Sequence, residues 1–299
     1  MYRSVIVPLD GSAFAENALP AAAMLAREFG ATLCLVHVHV PMPPAHLFEV
    51  PLVAEANFEA EVQNRIHEYL VTVADQYKAP GQKIETSYST GNVVPELRTA
   101  IEKHSGDLVV MTTHGRGGMA RFWIGSTADQ LVRETHVPIL LLRPESETAA
   151  DLAQPNFQRV LVTLDGSRES EQILPHAIAL GQPGCTEMRL LRVVSPRVPI
   201  IYPAPRIETR RSDDLEQQAL TYLGGIATDL EPNRVRVTVD VITHLNPAMA
   251  VLEYAKRESI DLIAMATHGR GGVRRMLLGS VADKVLRGAM TPMLLLRPE

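Results

Sequence analysis

VIVPLDGS (residues 5–12) and MTTHGRGGMARFWIGSTADQLVRETHVPILLLRP (residues 111–144) decide how this chain is read, because each occurs twice. The first returns as VLVTLDGS at residues 160–167, the second as MATHGRGGVRRMLLGSVADKVLRGAMTPMLLLRP at residues 265–298. His114 recurs as His268 and Asp10 as Asp165, a period of about 154 residues, far longer than the roughly 20–50 of solenoid repeats. Each copy is long enough to be a domain with its own core and its own site. The reading is therefore two domains, residues 1–145 and 157–299. The polar stretch PESETAADLAQPN (residues 144–156), which has no apolar periodicity, forms the linker.

Working outward, copy one alternates short apolar runs with helical patterns. Strands are predicted at residues 5–9, 32–40, 83–89, 108–113 and 139–143. Helices are predicted at 15–29, 54–77, 94–104 and 126–134. Copy two retraces this order, with Val160, Met188, Val235, Leu262 and Met293 in its five strands. Regular alternation of strand and helix calls for parallel pairing through right-handed crossovers. Pro8 is awkward inside a central strand and belongs near its end. Pro20 and Pro175 are expected to kink the first helix of their copies.

The 299 residues are 46% hydrophobic and 21% charged, the composition of ordinary globular domains. A net charge of -5 gives no global basic field, which disfavours nucleic acid as the main partner. No apolar run approaches the roughly 20 residues of a membrane span, and no secretory leader pattern precedes the first strand. The expectation is a cytoplasmic protein. Two cysteines cannot staple a chain of this size; Cys34 reads as a buried apolar residue and Cys185 as a loop thiol.

In an open parallel sheet, ligands sit outside the carboxyl ends of the strands where the strand order reverses. If the first and fourth strands are neighbours, Asp10 and the HGRGG loop meet at that crevice. Gly115, Gly117 and Gly118 can turn backbone N–H groups toward an anion, and Gly125-Ser126 opens a helix whose first amides suit phosphate oxygens. Copy two offers Gly269, Gly271, Gly272, Gly279 and Ser280. A glycine loop can also merely turn a corner, and Ser126 can serve as an N-cap, but mere turning does not require two copies to keep one spacing. Asp10 and Asp165, each before Gly-Ser, suit ribose hydroxyls, or equally an Asx turn or N-cap. Arg116 and Arg270 are candidates to close over phosphates. His114 and His268 read as hydrogen-bonding loop residues rather than bases. His37 and His39 share a strand face, but Arg192 and Val194 replace them in copy two, which argues against a metal site. There is no P-loop lysine, no first-turn G-x-G-x-x-G and no G-x-S-x-G elbow.

These residues resemble the universal stress protein family in its tandem, two-domain form. The nucleotide-binding members of that family carry G-x2-G-x9-G-[ST] after the fourth strand, matched here by Gly115, nine residues and Gly125-Ser126, and again by Gly269, nine residues and Gly279-Ser280. The first glycine of that motif is replaced by Thr112 and Ala266, side chains that could narrow the pocket, threonine more than alanine. Repeat two also has Leu245-Asn246 where repeat one has Gly91-Asn92.

The resemblance implies an α/β fold of two Rossmann-like (adenine nucleotide alpha-hydrolase-like) domains, each a five-stranded parallel sheet flanked by helices, packed as an intrachain pseudo-dimer. It implies that Gly115, Gly125 and Ser126, and Gly269, Gly279 and Ser280, touch phosphate, that Asp10 and Asp165 lie near ribose, and that backbone around Val38 and Val193 meets adenine. The remaining binding candidates are Thr112, His114, Arg116, Gly118, Ala266, His268, Arg270 and Gly272.

The expected function is an ATP-binding (or AMP- or ADP-binding) stress sensor or adaptor, with Mg2+ as a companion ion, at most slow hydrolysis, a protein partner and a homodimer as a further assembly. The alternative is an interaction protein whose pockets have closed.

Overall fold

The computed structural model describes residues 2–41, 52–113, 124–143, 157–181, 185–196, 207–233, 235–269 and 278–299, with backbone only at 52–58, 207–213 and 233. The chain forms two compact units, Met1–Leu131 with Ile139–Pro155, and Val132–Pro138 with Asn156–Glu299.

Copy one runs β1 (Ser4–Pro8), α1 (Ala13–Glu16), α2 (Leu19–Phe29), β2 (Thr32–His39), α3 (Leu52–Gln76), β3 (Ile84–Thr90), α4 (Val93–Lys103), β4 (Leu108–Thr112), α5 (Ser126–Glu134) and β5 (Ile139–Leu142). Copy two runs β6 (Arg159–Thr163), α6 (Arg168–Glu171), α7 (Leu174–Leu180), β7 (Glu187–Val194), α8 (Ile207–Leu230), β8 (Arg236–Thr243), α9 (Pro247–Arg257), β9 (Leu262–Ala266), α10 (Ser280–Gly288) and β10 (Met293–Leu296). Strand order is β3-β2-β1-β4-β5 in the first unit and β8-β7-β6-β9-β10 in the second. Every pairing within each five is parallel.

Parallel central strands are covered on both faces, so they read as continuous apolar runs rather than alternating ones. Val5, Ile6 and Val7 of β1, and Val160, Leu161 and Val162 of β6, are fully buried. Val5 lies opposite Leu108 and Ile6 opposite Val109, so the first and fourth strands are neighbours. Val160 and Leu262 repeat the arrangement. From β1 the chain winds outward one way through β2 and β3, then the other way through β4 and β5. The strand order therefore reverses between β1 and β4.

Pro8 is the last residue of β1, where the ladder can spare its donor. Pro20 and Pro175 do not kink a helix. The predicted single helix at 15–29 is broken into α1 and α2, with Pro20 in the first turn of α2, and Pro175 begins α7 in the same way. First-turn amides have no partner within their own helix, so proline costs nothing there. Val235 lies one residue before β8, and the linker at 144–156 falls outside the described residues. Cys34 is buried, and burial pushes its thiol up to about 12; Cys185 is exposed.

A second duplicated device sets where β4 and β9 start. Asp107 accepts from the amides of Arg3 (2.8 Å) and Ser4 (3.0 Å), and Asp261 accepts from those of Gln158 (2.9 Å) and Arg159 (3.0 Å). Each carboxylate thus satisfies the first donors of the strand beside it. The preceding Ser105 and Ser259 take positive φ (47° and 50°) to make the turn. Asp107→Ala strands these amides where water reaches them in part, so a loss of about 1–2 kcal/mol is expected in urea unfolding, with Asp107→Asn recovering part of it.

Candidate functional site

The glycine after each site aspartate has positive φ, 79° at Gly11 and 84° at Gly166, a conformation glycine adopts without strain. That bend lets Asp10 Oδ1 accept from Ser12 N (2.9 Å) and Ser12 Oγ (2.6 Å). Ser12 Oγ in turn accepts from Ala15 N (3.2 Å) and caps α1. Asp165, Ser167 and Ser170 repeat the arrangement, at 3.0 Å to Ser167 N and 3.1 Å from Ser170 N to Ser167 Oγ. The aspartates form the Asx turn, and the serines two residues on are the N-caps. Tyr69 Oη donates to Glu16 Oε1 (2.9 Å), and Tyr222 Oη to Glu171 Oε1 (2.8 Å), tying α3 and α8 to these short helices. Burial first, then the bond to Glu171, raises the Tyr222 hydroxyl pKa.

At the other side of each crevice, β4 and β9 end at Thr112 and Ala266, both buried. The next residues, Thr113 and Thr267, offer carbonyls that the glycine before the following helix approaches closely. Gly125 N donates to Thr113 O (2.6 Å), and Gly279 N to Thr267 O (2.8 Å). A Cβ on Gly279 would sit 2.8 Å from that same carbonyl oxygen. Asp129 N donates to Gly125 O, and Asp283 N to Gly279 O, each at 2.9 Å, so these glycines are the N-caps. Gly279 supplies no side-chain cap.

Two sequence readings change as a result. Ser126 and Ser280 are the first helical residues rather than caps. The glycine amides are spent on backbone, so the donors the helix start can offer a ligand are those of Ser126, Thr127 and Ala128, and of Ser280, Val281 and Ala282.

Each crevice holds a cavity, of about 610 Å³ in the first unit and about 340 Å³ in the second. The first brings together Asp10, Val38, Thr112, Gly125 and Ser126. The second brings together Asp165, Val193, Ala266, His268, Gly269, Gly279 and Ser280. Gly269 passes so close to Asp165 that a Cβ there would lie 1.9 Å from Asp165 Oδ2. His268 Nδ1 is 2.9 Å from Thr267 Oγ1, as a hydrogen-bonding loop residue would be. His114, Gly115, Arg116, Gly118, Arg270 and Gly272 lie outside the described residues. The larger cavity stands beside Thr112, so threonine at that place does not make the first cavity the narrower one.

Sequence reasoning passed over several wall residues. His37 and His39 both line the first cavity, with His39 Nε2 3.1 Å from Glu59 Oε2 on α3. Their shared strand face was legible; its place on the cavity wall was not. Val93 and Leu97 of α4, and Pro247 and Val251 of α9, line the cavities without any signal beyond ordinary helical amphipathicity. Among the described residues no group of three or more His, Cys, Asp or Glu could hold a metal ion, and no helix is long and apolar enough to cross a membrane.

A crevice at a strand-order reversal, with an acid at one rim and the first amides of a helix at the other, has the geometry to hold a polar ligand with an anionic tail. The chain is similar to known proteins in sequence and in fold. A universal stress protein of Mycolicibacterium smegmatis is 28% identical over 300 residues, covering 98% of this chain and 97% of that protein. The crystal structure of a universal stress protein from Archaeoglobus fulgidus aligns with a TM-score of 0.68 at 19% identity, over 99% of this chain and 96% of that one. A universal stress protein solved in complex with cAMP aligns over 47% of this chain and 97% of its own, at 23% identity and a TM-score of 0.37. The Universal stress protein family profile itself matches residues 1–143 and 156–297, nearly the whole length in two copies, and the chain belongs to that family.

Proposed function

We propose that this protein binds adenine nucleotide, ATP foremost, and works in the cytoplasm as a nucleotide-dependent stress sensor or adaptor. The observation that carries the reading is the first cavity. Asp10 stands on one rim, the start of α5 on the other, and the end of β2, with Val36, His37, Val38 and His39, forms the wall between them. The amides of Ser126, Thr127 and Ala128 suit phosphate oxygens, the Asp10 carboxylate suits ribose hydroxyls, and the β2 wall suits a flat base. Mg2+ would be held as a companion of the phosphates by their own oxygens, and Asp10 is the carboxylate among the described lining residues. These roles are binding and orientation; the reading asks for no hydrolytic step.

Equilibrium dialysis of the purified protein with labelled ATP tests it. Saturable binding, competed by AMP or cAMP, is expected. Absence of saturable binding by any of the three, together with recovery of a stoichiometric protein partner, would favour the interaction-protein reading instead.

A further inference from the structure

The two cavities keep the same phosphate end and differ at the base end. Each has its aspartate, its capping glycine and its uncapped first helical turn. Along β2 and β7, the strands next to the central ones, they part. The first cavity is lined by β2 from Val36 onward and by Val40 beyond it, whereas β7 contributes only Leu191 and Val193. Val194, in the place of His39, does not reach the second cavity.

The turns that follow β3 and β8 also differ, by one residue of chain. In register, His39 pairs with Thr90 and Val194 with Thr243, so Thr90 and Thr243 are equivalent. Asn92 and Asn246 are also equivalent, each being the N-cap of the next helix. A single residue, Gly91, separates the first two, but His244 and Leu245 separate the second two. The backbone bonds agree: Gly91 N donates to His39 O (2.9 Å), and its place on Val194 O is taken by His244 N (3.0 Å). Leu245, aligned with Gly91 by the sequence repeat, is the inserted residue and is 69% exposed. The His244 ring folds back, its Nδ1 accepting from Asn246 N (2.9 Å), and Pro247, the first residue of α9, lines the second cavity as Val93, the first of α4, lines the first.

We infer that the halves are not equivalent: the first unit takes the whole nucleotide, and the second, whose smaller cavity takes no lining from its strand beyond Val193, holds the phosphate end but not the base. The chain therefore binds one adenine nucleotide, in the first unit. This rests on the nucleotide reading above and adds stoichiometry and place to it. About 340 Å³ lies at the lower limit for cavities that bury a drug-sized ligand, whereas about 610 Å³ lies well inside the range.

Titration calorimetry with ATP, joined to photolabelling by 8-azido-ATP and peptide mapping, tests it on the full chain. One site per chain is expected, with the label on peptides spanning residues 32–41. Ser126→Asp, which places a like charge against the phosphates while suiting a helix start, is expected to weaken binding about 100-fold or more. Two sites per chain, label on residues 187–196, or undiminished binding by a folded Ser126→Asp protein would each overturn the inference. The photolabel reads the wild-type chain and so decides even if the variant fails to fold. No binding at all by the wild type would instead remove the nucleotide reading on which the inference stands.

Discussion

Ile6→Ala is expected to lower stability by about 2–5 kcal/mol, because it empties a fully buried position on the central strand of the first unit. Ile6 lies between β2 and β4, opposite Cys34 on one side and Val109 on the other. Its side chain also fills the space in front of Gly106, where an added Cβ would come within 2.4 Å of Ile6 Cγ1. Gly106→Ala alone therefore overpacks the core and should cost about 1–3 kcal/mol. The two defects are complementary in shape. The double variant should cost clearly less than the sum of the singles, by at least about 1 kcal/mol in a double-mutant cycle read by urea unfolding. Strict additivity would show that the two sites do not share this space. In the second unit the corresponding positions are Leu161, on its first strand, and Ile260, at the turn, both buried.

Gly269→Ala is the second large effect, expected at about 2–4 kcal/mol. The new methyl would overlap the Asp165 carboxylate, and that carboxylate cannot swing away cheaply. Its Oδ1 holds the amide and hydroxyl of Ser167, which caps α6. Displacing it adds the loss of a cap, about 1 kcal/mol, to the cost of overpacking. The same substitution in an Asp165→Ala background should be nearly harmless, since the colliding atoms are gone. An equal cost in both backgrounds, measured by thermal or urea unfolding, would mean that the glycine is needed for some reason other than this contact.

Both predictions concern contacts between residues far apart in sequence, which is where the sequence stopped being legible. The strands of the first unit were placed to within a residue or so, because a parallel strand buried on both faces is a short apolar run bounded by turn residues, as in VIVPL and LVVMT. The switch-point site was legible for a related reason. Alternating strands and helices with right-handed crossovers leave few topologies, and those that make β1 and β4 neighbours bring Asp10 to the end of β4. Pro20 was misread because a proline inside an apolar helical pattern has the same signature whether it kinks one helix or begins another. The hydrogen bonding separates the two: Ala18 N donates three residues back to Ala15 O, and α2 starts at Leu19.

By itself the sequence determined the duplication and the fold of each copy, since both are written in local patterns that recur at a fixed spacing. The tertiary structure alone decided which amides remain for a ligand and how deep each cavity runs. The Gly279 amide is spent on a carbonyl twelve residues upstream, and the second cavity takes lining from β7 only as far as Val193, where the turn after β8 is one residue longer than its counterpart. Neither carries a compositional mark, because a donor's partner and a cavity's depth are set by three-dimensional register, and one residue of slack in a loop costs the sequence pattern almost nothing.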